Sequence, residues 1–339
     1  MTVAGNGTNV MAQRLSSEQM QLDTFLRDAE LQHRRTFYPW GFPFEVETNS
    51  VDVMAAAADA WGPFARDCGD TAVRLCLAVT NSDAPLSTPR STFASREHLM
   101  SLYGDAEHFV LFDFARGFAF GSITRATARD HALLRYRFLT AALMLVEQRW
   151  LAPLHGAFIA RNGAGVLLCG DSMAGKSTLS YACCREGWTY ITDDGMSLLR
   201  ARPDLYGVGD YTTLRLREDA RRFFPELGGR VAVARPNGKI AIEIPTAELR
   251  IATAAGHSVD HVVFLNRQQE CEASLRRYPA AEALARWEPH ASFGPAEVRM
   301  AQRQCHRRLL EAGVWELRYS ALRDAMTALN QLIASPDRV

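Results

Sequence analysis

Alternation of apolar and polar positions dominates the first part of the chain. Phe44–Thr48 alternates along its length, as does the first half of Val73–Val79, and both patterns predict strands. Two further apolar runs, Phe109–Phe114 and Phe118–Ile123, are separated by Ala115-Arg-Gly, and this spacing predicts a β-hairpin. Several short strands close together along the chain favour a sheet.

Apolar residues also recur at helical spacing in this part of the chain. The spacing predicts helices over Ser16–Arg35, Val53–Trp61 and Ala128–Trp150, the last of which would connect the two halves of the chain. Strands mixed with helices predict an N-terminal α+β module, and we find no catalytic constellation of residues within it.

The second half begins with a strand, a turn and another strand, followed by a glycine-rich loop. The pattern predicts strands at Gly156–Ala160 and Val166–Cys169, a helix over Lys176–Glu186 and a third strand at Trp188–Thr192. We expect the third strand to lie next to the strand that carries the loop, with a ligand at the carboxyl edge of the sheet. Further strands are predicted near residues 196–199, 212–216, 240–244, 261–265 and 315–319, and two closing helices over Pro295–Ala312 and Ser320–Ala334.

The predicted organisation is therefore a flexible tail over residues 1–15, an α+β module over residues 16–150 and a phosphate-loop domain with a mixed sheet over residues 151–339. The first of these two folded parts would recognise an acceptor or a partner. The fold class is α/β combined with α+β.

Composition narrows the classes of function. The chain has 339 residues, of which 47% are hydrophobic and 22% charged, as in ordinary globular proteins. Its 38 basic and 38 acidic residues cancel, so we expect neither nucleic acid nor a membrane as partner. Seven cysteines without a Cys-x-x-Cys pair predict free thiols and a cytoplasmic location. We predict no signal peptide, and the most apolar stretch, Leu139–Val146, is too short to span a bilayer.

The glycine-rich loop carries the strongest chemical signal. Gly170–Ser177 fits G-x-x-x-x-G-K-[ST] at every fixed position, between a predicted apolar strand and a predicted helix. In such a loop the glycines let backbone N–H groups face phosphate oxygens, Lys176 meets the β and γ phosphates, and Ser177 offers a hydroxyl to Mg²⁺. The alternative is a chance match in an ordinary turn. The predicted nucleotide-binding residues are Gly170, Asp171, Ser172, Met173, Ala174, Gly175, Lys176, Ser177 and Thr178.

Asp193 and Asp194 follow the third strand of this half. Successive side chains at a strand end point to opposite sides, so one carboxylate would bind Mg²⁺ or its water while the other faces an incoming hydroxyl. Two close acids also raise the pKa of one of them. The alternative is an Asp-Asp-Gly turn that only reverses the chain. His155, before the first strand, is a further candidate, against the alternative of a structural histidine.

Taken together, these residues resemble the catalytic domain of HPr kinase/phosphorylase. The resemblance rests on Leu154-His155-Gly156, on Gly163-Ala-Gly-Val-Leu, on the loop itself and on the paired aspartates, and it covers about forty residues. It implies ATP and Mg²⁺ as cofactors, His155 beside the reacting phosphoryl group, and one of the two acids, Asp194 in preference, as the base for an acceptor serine. It also implies a reverse phosphorolysis and a homo-oligomer.

Two positions depart from the family pattern. Met173 stands where the family has the third loop glycine, and no glutamate stands where the family has a metal-ligating one. Glu243 is a candidate substitute as a metal ligand, and the alternative is an outward polar residue on an alternating strand. The predicted metal ligands are thus Ser177, Asp193 and Glu243.

The resulting hypothesis is an ATP- and Mg²⁺-dependent kinase that phosphorylates a serine hydroxyl of a protein, a peptide or a small molecule. The alternative is a nucleotide-binding regulatory module with weak or no transfer, which the two departures favour. A phosphotransferase related to phosphoenolpyruvate carboxykinase would need an arginine for a carboxylate and a His–Asp metal set, which the sequence does not show. Arg215, Arg217 and Arg267 are candidates for phosphate contacts, or else surface arginines.

Overall fold

The chain folds around four β-sheets with helices packed on them, in a computed structural model that describes residues 29–68, 71–87, 92–234, 239–287, 294–311 and 313–334. Strands and helices are mixed in both halves, which confirms the predicted combination of α/β and α+β. All seven cysteines lie within the described residues as free thiols. No helix among these residues combines the length and apolar character needed to cross a bilayer.

The first sheet has seven strands in the order β1-β2-β3-β7-β6-β5-β4, and its centre is parallel. The predicted hairpin is confirmed, because β6 and β7 pair antiparallel with Asp113 opposite Phe118. The strands are β1 (His33–Phe37), β2 (Phe44–Thr48), β3 (Val73–Thr80), β4 (Thr92–Arg96), β5 (Leu99–Asp105), β6 (His108–Asp113) and β7 (Phe118–Thr124).

Helix α1 (Val51–Trp61) crosses from β2 to β3, as the apolar spacing predicts. It begins where the Ser50 hydroxyl accepts a hydrogen bond from the Val53 amide, a typical N-terminal cap. The face of the helix that includes Val53, Ala57 and Trp61 is buried against the sheet. Removing this apolar face from water is what fixes the helix in place.

The helix predicted over Ser16–Arg35 is wrong at its end. Its residues up to 28 lie outside the described part of the chain, and His33–Phe37 forms strand β1 instead. Strand β1 pairs antiparallel with β2, and the Arg34 guanidinium lies 2.6 Å from the Glu45 carboxylate across that pair. The long-range pairing outweighs the local helical spacing.

The helical passage before the second half is interrupted, where one helix over Ala128–Trp150 is predicted. Asp130 leaves the helical backbone region (φ −82°, ψ 86°) and its carboxylate accepts a hydrogen bond from the Leu133 amide at 2.9 Å, so a new helix starts there. The segments are α2 (Arg125–Arg129), α3 (His131–Leu133), a π-helical turn (Leu134–Leu139), α4 (Thr140–Ala142) and α5 (Met144–Trp150).

The second seven-stranded sheet has the order β17-β11-β9-β10-β19-β21-β20 and is mixed, as predicted. Strands β10, β19 and β21 run parallel to one another, while β9 is antiparallel to both of its neighbours. The strands are β9 (Ala157–Arg161), β10 (Ala164–Cys169), β11 (Thr189–Thr192), β17 (Ala252–Thr253), β19 (His261–Arg267), β20 (Ser274–Arg277) and β21 (Val314–Tyr319).

The expectation that β11 lies next to β10 is wrong, because β9 separates them. Strands β9 and β10 form a tight hairpin through Asn162 and Gly163, both with positive φ (52° and 75°). The hairpin occupies the side of β10 on which β11 was expected, so β11 pairs with the outer side of β9. Because β9 is antiparallel to both, the carboxyl ends of β10 and β11 still meet at one edge.

Helices cover both faces of this sheet. On one face of the sheet, Ile159, Val166 and Leu179 pack with the C-terminal helix. On the other face, Phe158 and Leu167 pack with the two helices before β21. These neighbours alternate along β9 and β10, as expected of strands buried on both sides. The helices are α6 (Lys176–Arg185), α7 (Ala280–Trp287), α8 (Ala296–Glu311) and α9 (Leu322–Ala334).

Two smaller sheets complete the second half, and short 3₁₀ turns connect several of their strands. One sheet has the order β18-β13-β12-β8 and the other β14-β16-β15. Their strands are β8 (Leu151–His155), β12 (Gly195–Leu199), β13 (Tyr206–Gly209), β14 (Thr213–Leu216), β15 (Val233–Ala234), β16 (Ile240–Pro245) and β18 (Gly256–Ser258). Leu151, Leu199 and Val208 pack into the core of the first half. The domain boundary near residue 150 stays a prediction.

Candidate phosphate-binding site

The glycine-rich loop connects the carboxyl end of β10 to the first turn of α6, where the sequence predicts it. Gly170 has a φ of 144°, and a side chain there would lie 3.0 Å from the Ala174 Cβ. Gly175 has a φ of 96° immediately before the helix, a region that only glycine adopts readily. The loop therefore directs its backbone toward the positive end of α6, the usual arrangement for an anion site.

Tyr319, at the end of β21, fixes the position of the loop. Its hydroxyl donates a hydrogen bond to the Ala174 carbonyl at 3.0 Å. A Cβ added at Gly175 would lie only 2.5 Å from the Tyr319 hydroxyl oxygen. The side chain is completely buried. Sequence reasoning missed this residue, because it lies about 145 positions from the loop and no local pattern connects the two.

Met173 has a backbone conformation that glycine adopts more readily than other residues. Its φ is 71°, in the left-handed region, and its side chain is 73% exposed at the rim of the loop. A side chain in this region costs roughly 1–2 kcal/mol. Met173 thus adds local strain to the loop.

Lys176 is buried, and its ammonium group donates hydrogen bonds to the carbonyls of Gly170 (2.8 Å) and Asp171 (3.1 Å). Burial lowers the pKa of Lys176, while the Asp194 carboxylate partly opposes that change. The carboxylate of Asp171 in turn accepts a hydrogen bond from Arg286 at 2.7 Å. The two carbonyls thereby hold the Lys176 ammonium group at the mouth of the loop.

Asp193 is the buried member of the aspartate pair. Its carboxylate accepts hydrogen bonds from the Tyr190 hydroxyl at 2.8 Å and from the Arg215 amide at 3.2 Å. Burial raises the pKa of Asp193 to about 6; the neighbouring Arg215 opposes the rise and the Asp194 charge adds to it. The raised pKa thus belongs to the acid that faces the interior.

Asp194 faces the opposite way, as strand alternation predicts. Its side chain is 44% exposed, and its carboxylate oxygen lies 3.5 Å from Nδ1 of His155. The backbone keeps the two residues together: His155 is opposite Gly195 in the pairing of β8 with β12, and the Gly156 amide donates to the Asp194 carbonyl at 3.0 Å. A histidine and an accessible carboxylate therefore stand side by side.

Arg215 lies in a cluster of carboxylates. Its guanidinium is 2.8 Å from Asp210, 3.5 Å from Glu243 and 4.0 Å from Asp193. Burial alone would lower the pKa of Arg215, but Asp210 and Asp193 raise it above its usual value. Its principal partners are therefore acids of this chain, in contrast to the phosphate contact considered from the sequence.

Glu243 does not lie among the residues that line the cavity beside the loop. It faces Arg215 across β14 and β16 and accepts a hydrogen bond from the Tyr136 hydroxyl. Its side chain is only 19% exposed, so the alternative of an outward polar residue does not describe it either. Glu243 therefore shares the Arg215 guanidinium with Asp193, but it does not line the cavity on which Ser177 and Asp193 lie.

A cavity of about 580 Å³ opens beside the loop at the carboxyl edge of the sheet. A volume of this size suits a nucleotide-sized ligand. Basic side chains outnumber acidic ones among its lining residues, although the chain has no net charge. The predicted site residues that line it are His155, Ser172, Met173, Gly175, Lys176, Ser177, Thr178, Asp193 and Asp194, joined by Arg215, Arg217, Glu218, Asp219, Phe223, Lys239 and Arg267.

The donors around the loop fit Mg²⁺. Within the described residues no group of three or more His, Cys, Asp or Glu side chains could hold a metal without help. Mg²⁺ typically takes only one or two protein oxygens and completes its shell with water and phosphate, and the Ser177 hydroxyl and the Asp193 carboxylate, both predicted ligands, are hard oxygen donors on one cavity. The oxygens of Asp193 already accept two hydrogen bonds, which favours contact through water at that residue.

Known proteins share part of this chain. An HPr kinase/phosphorylase from Burkholderia lata is 44% identical over 66 residues, which are 19% of this chain and 20% of that protein. The enzyme of the same name from Burkholderia cenocepacia is 42% identical over a stretch of the same length. Over these 66 residues the chain is similar to HPr kinase/phosphorylases. It spans about a fifth of the length of the curated relatives that it matches.

No protein-family model matches the chain. Among solved structures, the Hpr(Ser) kinase/phosphatase from Coxiella burnetii aligns with 53% of this chain and 95% of its own, at 16% identity and a TM-score of 0.30.

Proposed function

We propose that the chain is a kinase that uses ATP and Mg²⁺ to phosphorylate a hydroxyl group, a serine hydroxyl when the acceptor is a protein or a peptide. One observation carries the proposal: Lys176, Ser177 and the His155–Asp194 pair all line one cavity, at the helix end where phosphate binds best. The partial similarity to HPr kinase/phosphorylases supports the same class of reaction.

The loop and Lys176 hold the polyphosphate in this proposal. Phosphoryl transfer depends mainly on position and on the neutralisation of charge, and buried cations act more strongly than exposed ones. Lys176 meets this requirement, because it is buried and fixed by two carbonyls. Ser177, together with Asp193 through a water molecule, would hold Mg²⁺, which would neutralise phosphate charge when bound.

Asp194 takes the proton from the acceptor hydroxyl in this proposal. A general base must reach the proton that it removes, and although both acids line the cavity, the side chain of Asp194 is accessible while Asp193 is buried. The imidazole of His155 at 3.5 Å orients that carboxylate and stands beside the reacting group. Asp193 positions the site in this proposal: its carboxylate accepts a hydrogen bond from the Arg215 amide and holds the end of β11 in place.

The test compares Asp194→Asn with Asp324→Asn, a matched change at an exposed aspartate on α9. With labelled ATP, Mg²⁺ and a lysate of the native host, we expect Asp194→Asn to lose at least about 100-fold of the transfer rate. Its affinity for the nucleotide, measured by calorimetry, should stay close to that of the wild type, as should both properties of the control. Undiminished transfer by Asp194→Asn, or a wild-type chain that ignores MgATP, would refute the proposal.

The position of Glu243 favours a second candidate. A nucleotide-binding regulatory module with little or no transfer would need the loop but not a complete set of metal ligands, and Glu243 is committed to Arg215 and Tyr136. Such a module would bind MgATP tightly and release no ADP with any acceptor. The same labelled-ATP experiment separates it from the kinase.

A further inference from the structure

A second cavity, of about 290 Å³, adjoins the first. The linings of the two cavities share two residues, His155 and Asp194. A group bound in the second cavity thus meets the same histidine–carboxylate pair that faces the loop from the first. Both halves of the chain contribute to its walls, which include Trp40, Met144, Glu147, Gln148, Ser197 and Gln302.

The two cavities differ in charge. Lysine and arginine supply five of the residues that line the first cavity, namely Lys176, Arg215, Arg217, Lys239 and Arg267. Of the described residues that line the second cavity, none is a lysine or an arginine, and two are carboxylic acids, Glu147 and Asp194. The first cavity also has four acids, Asp193, Asp194, Glu218 and Asp219, but it offers a polyphosphate cations that the second cavity lacks, and the second favours a neutral or cationic group over an anion.

Glu147 is the acid that distinguishes the second cavity. It lies on α5, and burial raises its pKa to about 7. An acid in such a site is costly to ionise without a partner, and a cation beside it restores the ionised form. A protonated amine that enters the cavity meets a side chain that gains from its presence.

Trp40 provides a second, independent observation. Its backbone lies in the left-handed region (φ 52°, ψ 25°), inside a short turn that the Gly41 amide closes on the Tyr38 carbonyl at 2.8 Å. This conformation is rare for a bulky residue, and such residues concentrate at ligand sites. The strained turn presents Trp40 at the cavity wall, and an aromatic side chain there also suits a cation.

We propose that the second cavity is the acceptor subsite and that it takes a small amino alcohol whose protonated amine lies near Glu147 and whose hydroxyl points to Asp194. This inference rests on the proposed function. In the transfer, the hydroxyl oxygen forms a bond to the γ phosphorus, the bond between that phosphorus and the leaving oxygen of ADP breaks, and the hydroxyl proton passes to Asp194. The volume is near the lower limit of ligand sites, which suits a compound of this size.

The experiment uses three probes that differ in charge: L-serinamide, a cation; N-acetyl-L-serinamide, neutral; and N-acetyl-L-serine, an anion. Their dissociation constants are measured by ligand-detected NMR with the full chain and Mg·ADP. We expect serinamide to bind about tenfold more tightly than the neutral probe. Glu147→Gln should remove that preference, while Glu186→Gln, at an exposed glutamate after α6, should leave it unchanged.

A second variant protects the test against one that fails to fold. Met144→Lys, also on the cavity wall, places a cation near Glu147, so it should weaken the binding of serinamide and strengthen that of N-acetyl-L-serine relative to the wild type. Equal binding of cation and neutral probe by the wild type, or a preference that survives Glu147→Gln, overturns the acceptor inference. Calorimetry of the wild type with MgATP separates the two hypotheses. A wild type that does not bind the nucleotide refutes the proposed kinase, whereas one that binds the nucleotide but shows no preference for the cationic probe refutes only the subsite.

Discussion

Gly175→Ala tests the structural basis of the phosphate loop. The new methyl group would lie 2.5 Å from the Tyr319 hydroxyl oxygen, well inside any ordinary contact distance, on a backbone with a φ of 96°. Tyr319 cannot move away at low cost, because it is completely buried and its hydroxyl donates to the Ala174 carbonyl. We therefore expect both a loss of stability and a distorted loop.

The magnitude has two parts. A side chain in the left-handed region costs roughly 1–2 kcal/mol. Overlap in a closely packed site adds about 1–3 kcal/mol. Gly187→Ala is the matched control, because Gly187 has a similar φ of 87° but no atom lies within 4 Å of the added methyl group. The difference between the two variants isolates the overlap with Tyr319.

The assay combines thermal unfolding with nucleotide binding. Each kcal/mol lowers the melting temperature by about 2–4 °C in a domain of this size. Gly175→Ala should therefore melt several degrees below Gly187→Ala and bind MgATP more weakly, while Gly187→Ala keeps the wild-type affinity. Adding Tyr319→Phe removes the oxygen that the methyl group meets, so the double variant should recover about 1 kcal/mol or more relative to the sum of the single changes.

Equal melting temperatures for Gly175→Ala and Gly187→Ala would refute this reasoning. So would strict additivity of Gly175→Ala and Tyr319→Phe, because the argument depends on direct contact between the two side chains.

Three further predictions concern the residues around the loop. The free energy of unfolding of Met173→Gly, obtained from melting curves, should exceed that of Met173→Ala by about 1 kcal/mol, since only the alanine keeps the left-handed strain. Arg215→Met should lower the free energy of unfolding by about 3–5 kcal/mol in a denaturant titration, because it leaves three carboxylates without their shared cation. The third concerns Asp193, whose raised pKa means that the folded state binds its proton more tightly than the unfolded state. The wild type should therefore lose stability relative to Asp193→Asn as the pH rises from about 4 to about 6, and the difference should be constant above pH 7 in melting curves.

Local features of this fold were predictable from the sequence, and the order of its strands was only partly so. The alternation that predicts β2 and the helical spacing that predicts α1 are short-range patterns, and both elements form where expected. The place of β11 depends on which strands pair over long distances. The Asn162-Gly163 pair carried a usable signal, since a two-residue hairpin at that point assigns one side of β10 to β9.

The site shows the same limit. The spacing of glycines, lysine and serine predicts the loop because backbone geometry and phosphate chemistry require those residue types at those positions. The side chains around the loop come from elsewhere. Tyr319, which contacts the loop, lies on the last strand, while Asp210 and Tyr136, which bind Arg215 and Glu243, come from segments with no recognisable motif. Glu243 was considered from the sequence as a metal ligand, and only the pairing of β14 with β16 shows that it faces Arg215.

The aspartate pair explains how the two cavities come to differ. Asp193 turns inward and, with Asp210 and Glu243, balances the charge of Arg215, so the basic character of the first cavity depends on its other lysines and arginines. Because consecutive side chains on a strand alternate, burying Asp193 places Asp194 on the opposite side, where both cavities reach it. The buried acid therefore fixes the direction of the exposed one, and the proposed phosphate donor and acceptor would approach the same carboxylate from two different cavities.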